Sequence, residues 1–218
     1  MRYRKLGRSG LHVSEVCLGT MTFGIQTQEP EAFKIMDAAA EAGVNFIDTA
    51  DVYPLGGGPS QAGTTETIVG NWLRGKRDQF VLATKCTGAT GPGPNDRGSS
   101  RRHIIAAVDA SLKRLQTDYI DLYQMHQRDE DTPLDEILGT LDDLVRWGKI
   151  RYIGVSNYYA WQMALMLGLA ESRGWERLMC DQPRYNILFR EIETEIVPLC
   201  LDQGIGIIAY NPLAGGFL

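Results

Sequence analysis

The sequence predicts an α/β protein, and specifically a (β/α)8 TIM barrel in preference to an open doubly wound sheet. Three observations carry this expectation. Short apolar runs alternate with longer segments of helical periodicity on a beat of about 30 residues, the pattern of parallel strands joined by crossover helices. The runs are apolar along nearly their whole length, as strands covered on both faces must be. The first of them leads into Cys17-Leu18-Gly19-Thr20-Met21-Thr22-Phe23-Gly24, which lacks the G-x-G-x-x-G turn of a dinucleotide-binding doubly wound sheet.

In chain order, Tyr3–Leu6 and Leu11–Val13 flank Gly7-Arg8-Ser9-Gly10 and read as a short hairpin ahead of the main pattern. Strands are expected at Val16–Gly19, Asn45–Asp48, Phe80–Thr84, Tyr119–Gln124, Ile150–Val155, Leu178–Asp181 and Ile205–Tyr210. Between them, Phe33, Met36 and Ala39/Ala40 follow Glu29-Pro30-Glu31 with helical spacing. Ile104, Val108, Leu112 and Leu115 do the same, as do Leu134, Ile137, Leu141 and Leu144. Thr132-Pro133-Leu134-Asp135 predicts a helix start with Thr132 as N-cap and Pro133 as the first helical residue. Gly43 and Gly148 stand where helices should stop. The segments Gly56-Gly57-Gly58-Pro59 and Gly91-Pro92-Gly93-Pro94 read as lids or surface loops. Gly70 to Lys76 has the spacing of a phosphate-binding P-loop. However, Arg77 replaces the required Ser or Thr, and the segment follows a helical pattern rather than a strand. Nothing in the composition divides the chain, so residues 1–218 are expected to form one barrel domain.

Composition narrows the function. The net charge is −5 with Lys and Arg scattered, so no basic stripe exists to neutralise nucleic-acid phosphates. No apolar stretch approaches the roughly 18 residues of a membrane helix, and the start MRYRKLG has no apolar run behind it. A cytoplasmic protein without a membrane partner is the expectation. Cys17, Cys86, Cys180 and Cys200 form no C-x-x-C pair and read as small buried hydrophobes. His12, His103 and His126 share no ligand spacing, so no metal site is expected.

In a parallel barrel, chemistry gathers at the C-terminal ends of the strands. Those ends carry Asp48, Lys85, Gln124-Met125-His126, Ser156-Asn157, Asp181-Gln182 and Tyr210-Asn211. Six consecutive strands thus end in polar groups that apolar strands do not need for packing. No serine–base pair or metal cluster emerges, so acyl transfer and metal hydrolysis lack their parts. A lysine beside Tyr53 would favour phenolate over phenol and lower the tyrosine pKa from about 10. An aspartate would keep that lysine charged and fixed, and His126 could hydrogen-bond a carbonyl oxygen and orient it. This is a proton-donating site aimed at a carbonyl, and it still needs an electron source.

The stretches Gly43–Tyr53, Ala83-Thr84-Lys85, Ser111–His126, Lys149–Asn157, Asp181–Asn186 and Tyr210–Gly216 resemble the aldo-keto reductases, in the branch of aryl-alcohol dehydrogenases and potassium-channel β subunits. The resemblance covers the whole chain in order. It implies that Asp48, Tyr53, Lys85 and His126 form the family's catalytic tetrad, with Tyr53 as general acid in reduction, Lys85 and Asp48 tuning it and His126 positioning the carbonyl. It implies a nicotinamide cofactor, NADPH or alternatively NADH, bound without a Rossmann fold, with hydride passing from nicotinamide C4 to an aldehyde or ketone. Positions matching the family's cofactor contacts are Gly19, Thr20, Met21 and Asp48, then Ser156 and Asn157 for the carboxamide. Gln182 would lie beneath the ring, Tyr210 would stack on it, and Asn211, Pro212, Leu213 and Gly215 would follow the diphosphate. Asp118, Asp121 and Tyr123, at a strand's start and outer face, are expected to be structural.

Two positions depart from the family pattern: Pro54 stands where glycine is usual, and Asn211 where serine is commoner. The chain stops at Phe217-Leu218, directly after the seventh strand. The expectation is therefore a barrel incomplete at its C-terminus, without strand eight and its following helices. A regulatory cofactor-binding subunit and an inactive fragment are the competing functional readings. The substrate and the oligomeric state are open at this point.

Overall fold

The computed structural model describes residues Met1–Leu218. β1 (Tyr3–Lys5) and β2 (His12–Ser14) form the expected antiparallel hairpin, with Arg4 opposite Val13. Seven further strands form one parallel sheet in strict chain order. They are β3 (Cys17–Gly19), β4 (Phe46–Asp48), β5 (Val81–Cys86), β6 (Ile120–Met125), β7 (Ile150–Ser156), β8 (Leu178–Gln182) and β9 (Gly206–Ile207). One helix fills each gap: α1 (Glu29–Glu41), α2 (Thr64–Leu73), α3 (Arg101–Leu115), α4 (Leu134–Arg146), α5 (Ala160–Arg173) and α6 (Ile196–Gln203). This is the alternation of the (β/α)8 barrel type, with β3 and β9 as the two outer strands of the sheet.

The sheet is curled, and one hydrogen bond proves it. Gln182 Nε2 on β8 donates to Asp48 Oδ2 on β4 at 3.0 Å. Four strand spacings separate β4 from β8, about 19 Å in a flat sheet, so the two side chains meet only because the strands bend round a common axis. Inside that curve Phe46, Val81, Ala83, Leu122 and Cys180 pack together with Leu6 and Val13 of the hairpin. The hairpin turn seats against the last strands. The Arg8 amide donates to the Gly204 carbonyl at 2.7 Å, and a Cβ at Gly7 would lie 2.6 Å from that same oxygen. The larger core lies between the outer face of the sheet and the helices. α4 shows why: Ile137, Leu138, Leu141 and Leu144 fall on one stripe and are fully buried.

Local chemistry sets the helix ends. Ser100 caps α3 by accepting from the His103 amide, Gln116 closes it in the left-handed conformation, and Gly43 and Gly148 follow α1 and α4 with positive φ. The start of α4 differs from the expectation by one residue. Pro133 is the N-cap, and the Thr132 hydroxyl instead donates to Asp129 Oδ2 at 2.7 Å. Asp121 of β6 is structural, accepting from Arg77 Nη2 at 2.7 Å and from the Leu82 amide at 2.9 Å.

Gly70 lies in α2 rather than in a phosphate loop. A Cβ there would stand 2.3 Å from the Arg114 carbonyl oxygen and 2.8 Å from the Leu115 backbone, so this glycine lets α2 cross α3 at close range. Gly70→Ala is expected to destabilise the fold by about 2–3 kcal/mol despite alanine's better helix propensity, seen as a lower urea midpoint at unchanged m-value.

Candidate active site

Four side chains from three successive strand ends converge. Asp48 closes β4, and the turn that follows brings Tyr53 back over it, with the Tyr53 amide donating to the Ala50 carbonyl. Lys85 lies in β5 and is fully buried. His126 is the first residue after β6, tied to β5 by its amide donating to the Cys86 carbonyl at 2.8 Å.

The lysine spends all three of its donors here. Its Nζ lies 2.5 Å from Asp48 Oδ1, 2.8 Å from the Thr49 carbonyl and 3.4 Å from the Tyr53 hydroxyl. Asp48 in turn accepts on Oδ2 from Gln124 Nε2 and Gln182 Nε2, both at 3.0 Å. On its other side the Tyr53 hydroxyl is 3.5 Å from His126 Nε2, the two rings standing edge to face. Both contacts to the phenol are at the outer limit of hydrogen bonding. The hydroxyl is therefore poised between a cation and an imidazole, without being consumed by either.

Electrostatics corrects one expectation. Lys85 does pull the Tyr53 pKa down, but burial outweighs it, and the nearby Asp48 charge also opposes the lysine, so the phenol sits above its ordinary value of 10.0. Tyr53 is thus a loaded proton donor at neutral pH. Burial acts to lower the Lys85 pKa, but Asp48 and Tyr53 together outweigh that and hold it above 10.5. His126 is pushed down to about 3, first by burial and then by the Lys85 charge, so its imidazole is neutral.

Tyr53 and His126 open onto a cavity of about 560 Å³ whose wall also includes Met21, Ser156, Asn157, Gln182, Tyr210 and Asn211. These polar groups are already ordered. Ser156 Oγ donates to the Gln182 carbonyl at 2.7 Å, Asn157 Nδ2 donates to Ser156 Oγ at 2.9 Å, and the Tyr210 hydroxyl donates to Asn157 Oδ1 at 2.9 Å. The donor set suits a flat ring bearing a carboxamide: amide and hydroxyl groups along one wall, an aromatic beside them, and the phenol and imidazole facing the same space. The other sequence-derived positions lie outside that wall. Asp48 and Lys85 are behind Tyr53. Thr20 is buried and its hydroxyl donates to the Asp48 carbonyl at 2.9 Å, while Gly19 has open space where a Cβ would stand. Pro212 lines a separate cavity between the hairpin and β9. Leu213 is exposed, and the Gly215 amide donates to Asn211 Oδ1 at 2.7 Å, which turns the segment after Tyr210 back on itself.

Gln124, which the sequence marks only as part of a polar strand end, belongs to the site through Asp48. Its parity with Leu122 on β6 was the available signal, since residues two apart share the inner face. Asp181 is the opposite case. Grouped with Gln182 at the strand end, it points away from the site, as the alternation of the strand requires. Cys180 and Gln182 contact Gln124 inside the curve, whereas the Asp181 carboxyl acts on Cys200 of α6. Neither of its oxygens has a partner, and burial raises its pKa to about 7.

That buried carboxyl has a consequence for stability. Its folded pKa exceeds the ordinary 3.8, so the unfolded chain releases the proton first as pH rises. The stability held with a protonated Asp181 is complete below about pH 3.8 and is lost as pH rises through about 7, a difference of about 4 kcal/mol. Asp181→Asn is expected to be more stable than the unmodified protein at pH 8, with the gap closing towards pH 4, as measured by urea unfolding at a series of pH values.

Comparison with known proteins agrees with this architecture. Residues 15–218 match the model of the Aldo/keto reductase family. The chain is 46% identical over 225 residues to an uncharacterized oxidoreductase, YrpG, of Bacillus subtilis (strain 168), covering 100% of this chain and 68% of that protein. It is 38% identical over 244 residues to versiconal hemiacetal acetate reductase of Aspergillus parasiticus, covering 100% and 69%. It is also 38% identical over 223 residues to a probable voltage-gated potassium channel subunit beta of Arabidopsis thaliana, covering 100% and 66%. The chain thus spans about two thirds of the length of these relatives, and no helix in it is long and apolar enough to cross a membrane. With the strand order, the helix in every gap and a family match over nearly all of its residues, the chain belongs to the aldo-keto reductase family of oxidoreductases.

Proposed function

We propose that this chain is an NADPH-dependent carbonyl reductase, a cytoplasmic enzyme whose residues 1–218 act as one barrel domain and whose catalytic residues are Asp48, Tyr53, Lys85 and His126. The observation that carries the reading is the Tyr53 hydroxyl, protonated and held between Lys85 and His126, on the wall of a cavity lined by Ser156, Asn157, Gln182 and Tyr210. When bound, the reduced nicotinamide supplies a hydride from its C4. Ser156 and Asn157 would hold the carboxamide, with Gln182 and Tyr210 holding the ring. Met21 and Asn211 on the wall, and Gly19, Thr20, Pro212, Leu213 and Gly215 beyond it, would hold the rest of the cofactor.

The chain's own residues handle the proton. His126, being neutral, donates a hydrogen bond from Nε2 to the carbonyl oxygen of an aldehyde or ketone and turns its carbon towards the ring. Tyr53 gives its phenolic proton to that oxygen as negative charge develops there, which produces the alcohol. Lys85 stabilises the phenolate left behind, and Asp48 keeps the lysine in place with the help of Gln124 and Gln182. Solvent then returns a proton to Tyr53. Run backwards, the same groups oxidise an alcohol.

The test is the loss of NADPH absorbance near ~340 nm with 4-nitrobenzaldehyde, using protein of verified intact mass. Turnover that depends on the aldehyde supports the reading, and its absence rejects it. The likeness to a protein named as a potassium channel subunit favours a second reading, a cofactor-binding subunit without turnover. NADPH binding with no aldehyde-dependent oxidation would select it.

A further inference from the structure

Among the residues on the wall of the Tyr53 cavity, only Arg184 carries a charge. Asp48 and Lys85 neutralise each other behind Tyr53, and His126 is uncharged. Arg184 follows β8 in Gln182-Pro183-Arg184, and its backbone is bridged to Tyr210. Its side chain is exposed and forms neither an ion pair nor a hydrogen bond, and the guanidinium carbon lies 4.7 Å from the centre of the Phe189 ring. The planar cation is thus supported on one face, while its N–H fork is open to a ligand.

A second cavity of about 530 Å³ shares Asn157, Arg184 and Tyr210 with the first. Its other arginine is more enclosed: Arg128 donates through Nη1 to the Asn157 carbonyl at 2.7 Å and stacks 3.8 Å from the Tyr159 ring, with its Nε buried and without a partner. The second cavity also presents Glu191 and Glu195. Those exposed carboxylates disfavour an anion beside them, whereas one at the shared wall meets Arg184. The charge of Arg184 is felt there, since it pulls the Tyr210 phenol down against the larger effect of burial.

We infer that Arg184 is a specificity-determining residue whose open N–H fork, on the edge of the Tyr53 cavity, selects carbonyl substrates carrying one small oxyanion, such as a carboxylate. The inference rests on the reductase reading. The diphosphate of the cofactor offers the same anionic oxygens, so the experiment has to separate the two sources.

Two aldehydes of nearly equal shape do so, 4-carboxybenzaldehyde and 4-nitrobenzaldehyde, which differ in charge. They are compared in the unmodified protein, Arg184→Gln and Arg184→Lys, with NADPH affinity measured independently by fluorescence. Arg184→Gln is expected to raise KM for the carboxylate substrate about tenfold, the effect of one charge-assisted pair at an accessible site. The kcat, the KM for the nitro compound and the Kd for NADPH should each stay within about twofold. Arg184→Lys should recover part of the loss, and added salt should shrink the difference between the substrates. Equal changes for both aldehydes would overturn the inference, and a weakened Kd for NADPH would assign Arg184 to the cofactor instead. If the unmodified protein turned over neither aldehyde, the reductase reading itself would fall, and this inference with it.

Discussion

Tyr53→Phe is expected to lower aldehyde reduction by at least about 10³-fold while leaving the Kd for NADPH within about twofold. The substitution removes one oxygen and keeps the ring that packs edge to face on His126. The second phenol of the cavity, Tyr210, already donates to Asn157 Oδ1 at 2.9 Å. His126 has already lost its proton, with a pKa of about 3, and Lys85 is turned to Asp48 and the Thr49 carbonyl. A positioned general acid contributes about 10²–10⁴-fold, and here the lost proton has no substitute. Stopped-flow or steady-state oxidation of NADPH measures the first quantity and fluorescence titration the second. A phenylalanine variant within tenfold of the unmodified rate would remove Tyr53 from the role of acid.

Lys85→Met is expected to reduce activity by at least about 10²-fold and, unlike Tyr53→Phe, to weaken the fold. Lys85 has no solvent exposure and Asp48 very little. Removing the cation leaves a buried carboxylate with only the Gln124 and Gln182 amides, at a cost of about 3 kcal/mol. The sign of the pH effect follows from the site. Reduction needs a protonated phenol, so activity falls as pH rises through the Tyr53 pKa. Lys85 is the largest influence lowering that pKa, so in the methionine variant the alkaline limb of the residual activity should move to higher pH. Lys85 itself, held above 10.5 by Asp48 and Tyr53 against its burial, keeps its charge in the folded protein throughout the neutral range. The stability it contributes is complete below pH 10.5 and is lost only as pH rises through the higher folded value. A thermal or urea midpoint unchanged from the unmodified protein at pH 7 would contradict the buried-pair argument. An unshifted alkaline limb would contradict the tuning argument.

Much of the architecture is legible in the order of residue types along the chain. Seven apolar runs became seven strands in one order, because strands buried on both faces have to be continuous in apolar character and their crossovers have to be helical. The convergence of Asp48, Tyr53, Lys85 and His126 is legible for a related reason: inward-facing residues at the ends of parallel strands, and the turns that follow them, share one rim. The start of α4 lies one residue beyond the expected one, and the pairing of Thr132 with Asp129 there has no signal in the helical pattern.

What the chain determines by itself is therefore what depends on neighbours in sequence: the alternation of elements, their turns and caps, and the order in which functional groups arrive at the rim. The tertiary structure decided everything that depends on distance across the sheet or on exclusion of water. Curvature let Gln182 reach Asp48 across four strand spacings and brought Gln124 into the same network. Burial reversed the expected direction of the Tyr53 pKa and left Asp181 half-ionised near pH 7 on the opposite side of β8 from the site. The same packing left Arg184 as the one charged group on the cavity wall. Desolvation and through-space charge act between groups that the sequence separates by tens of residues, and neither has a signature in local pattern.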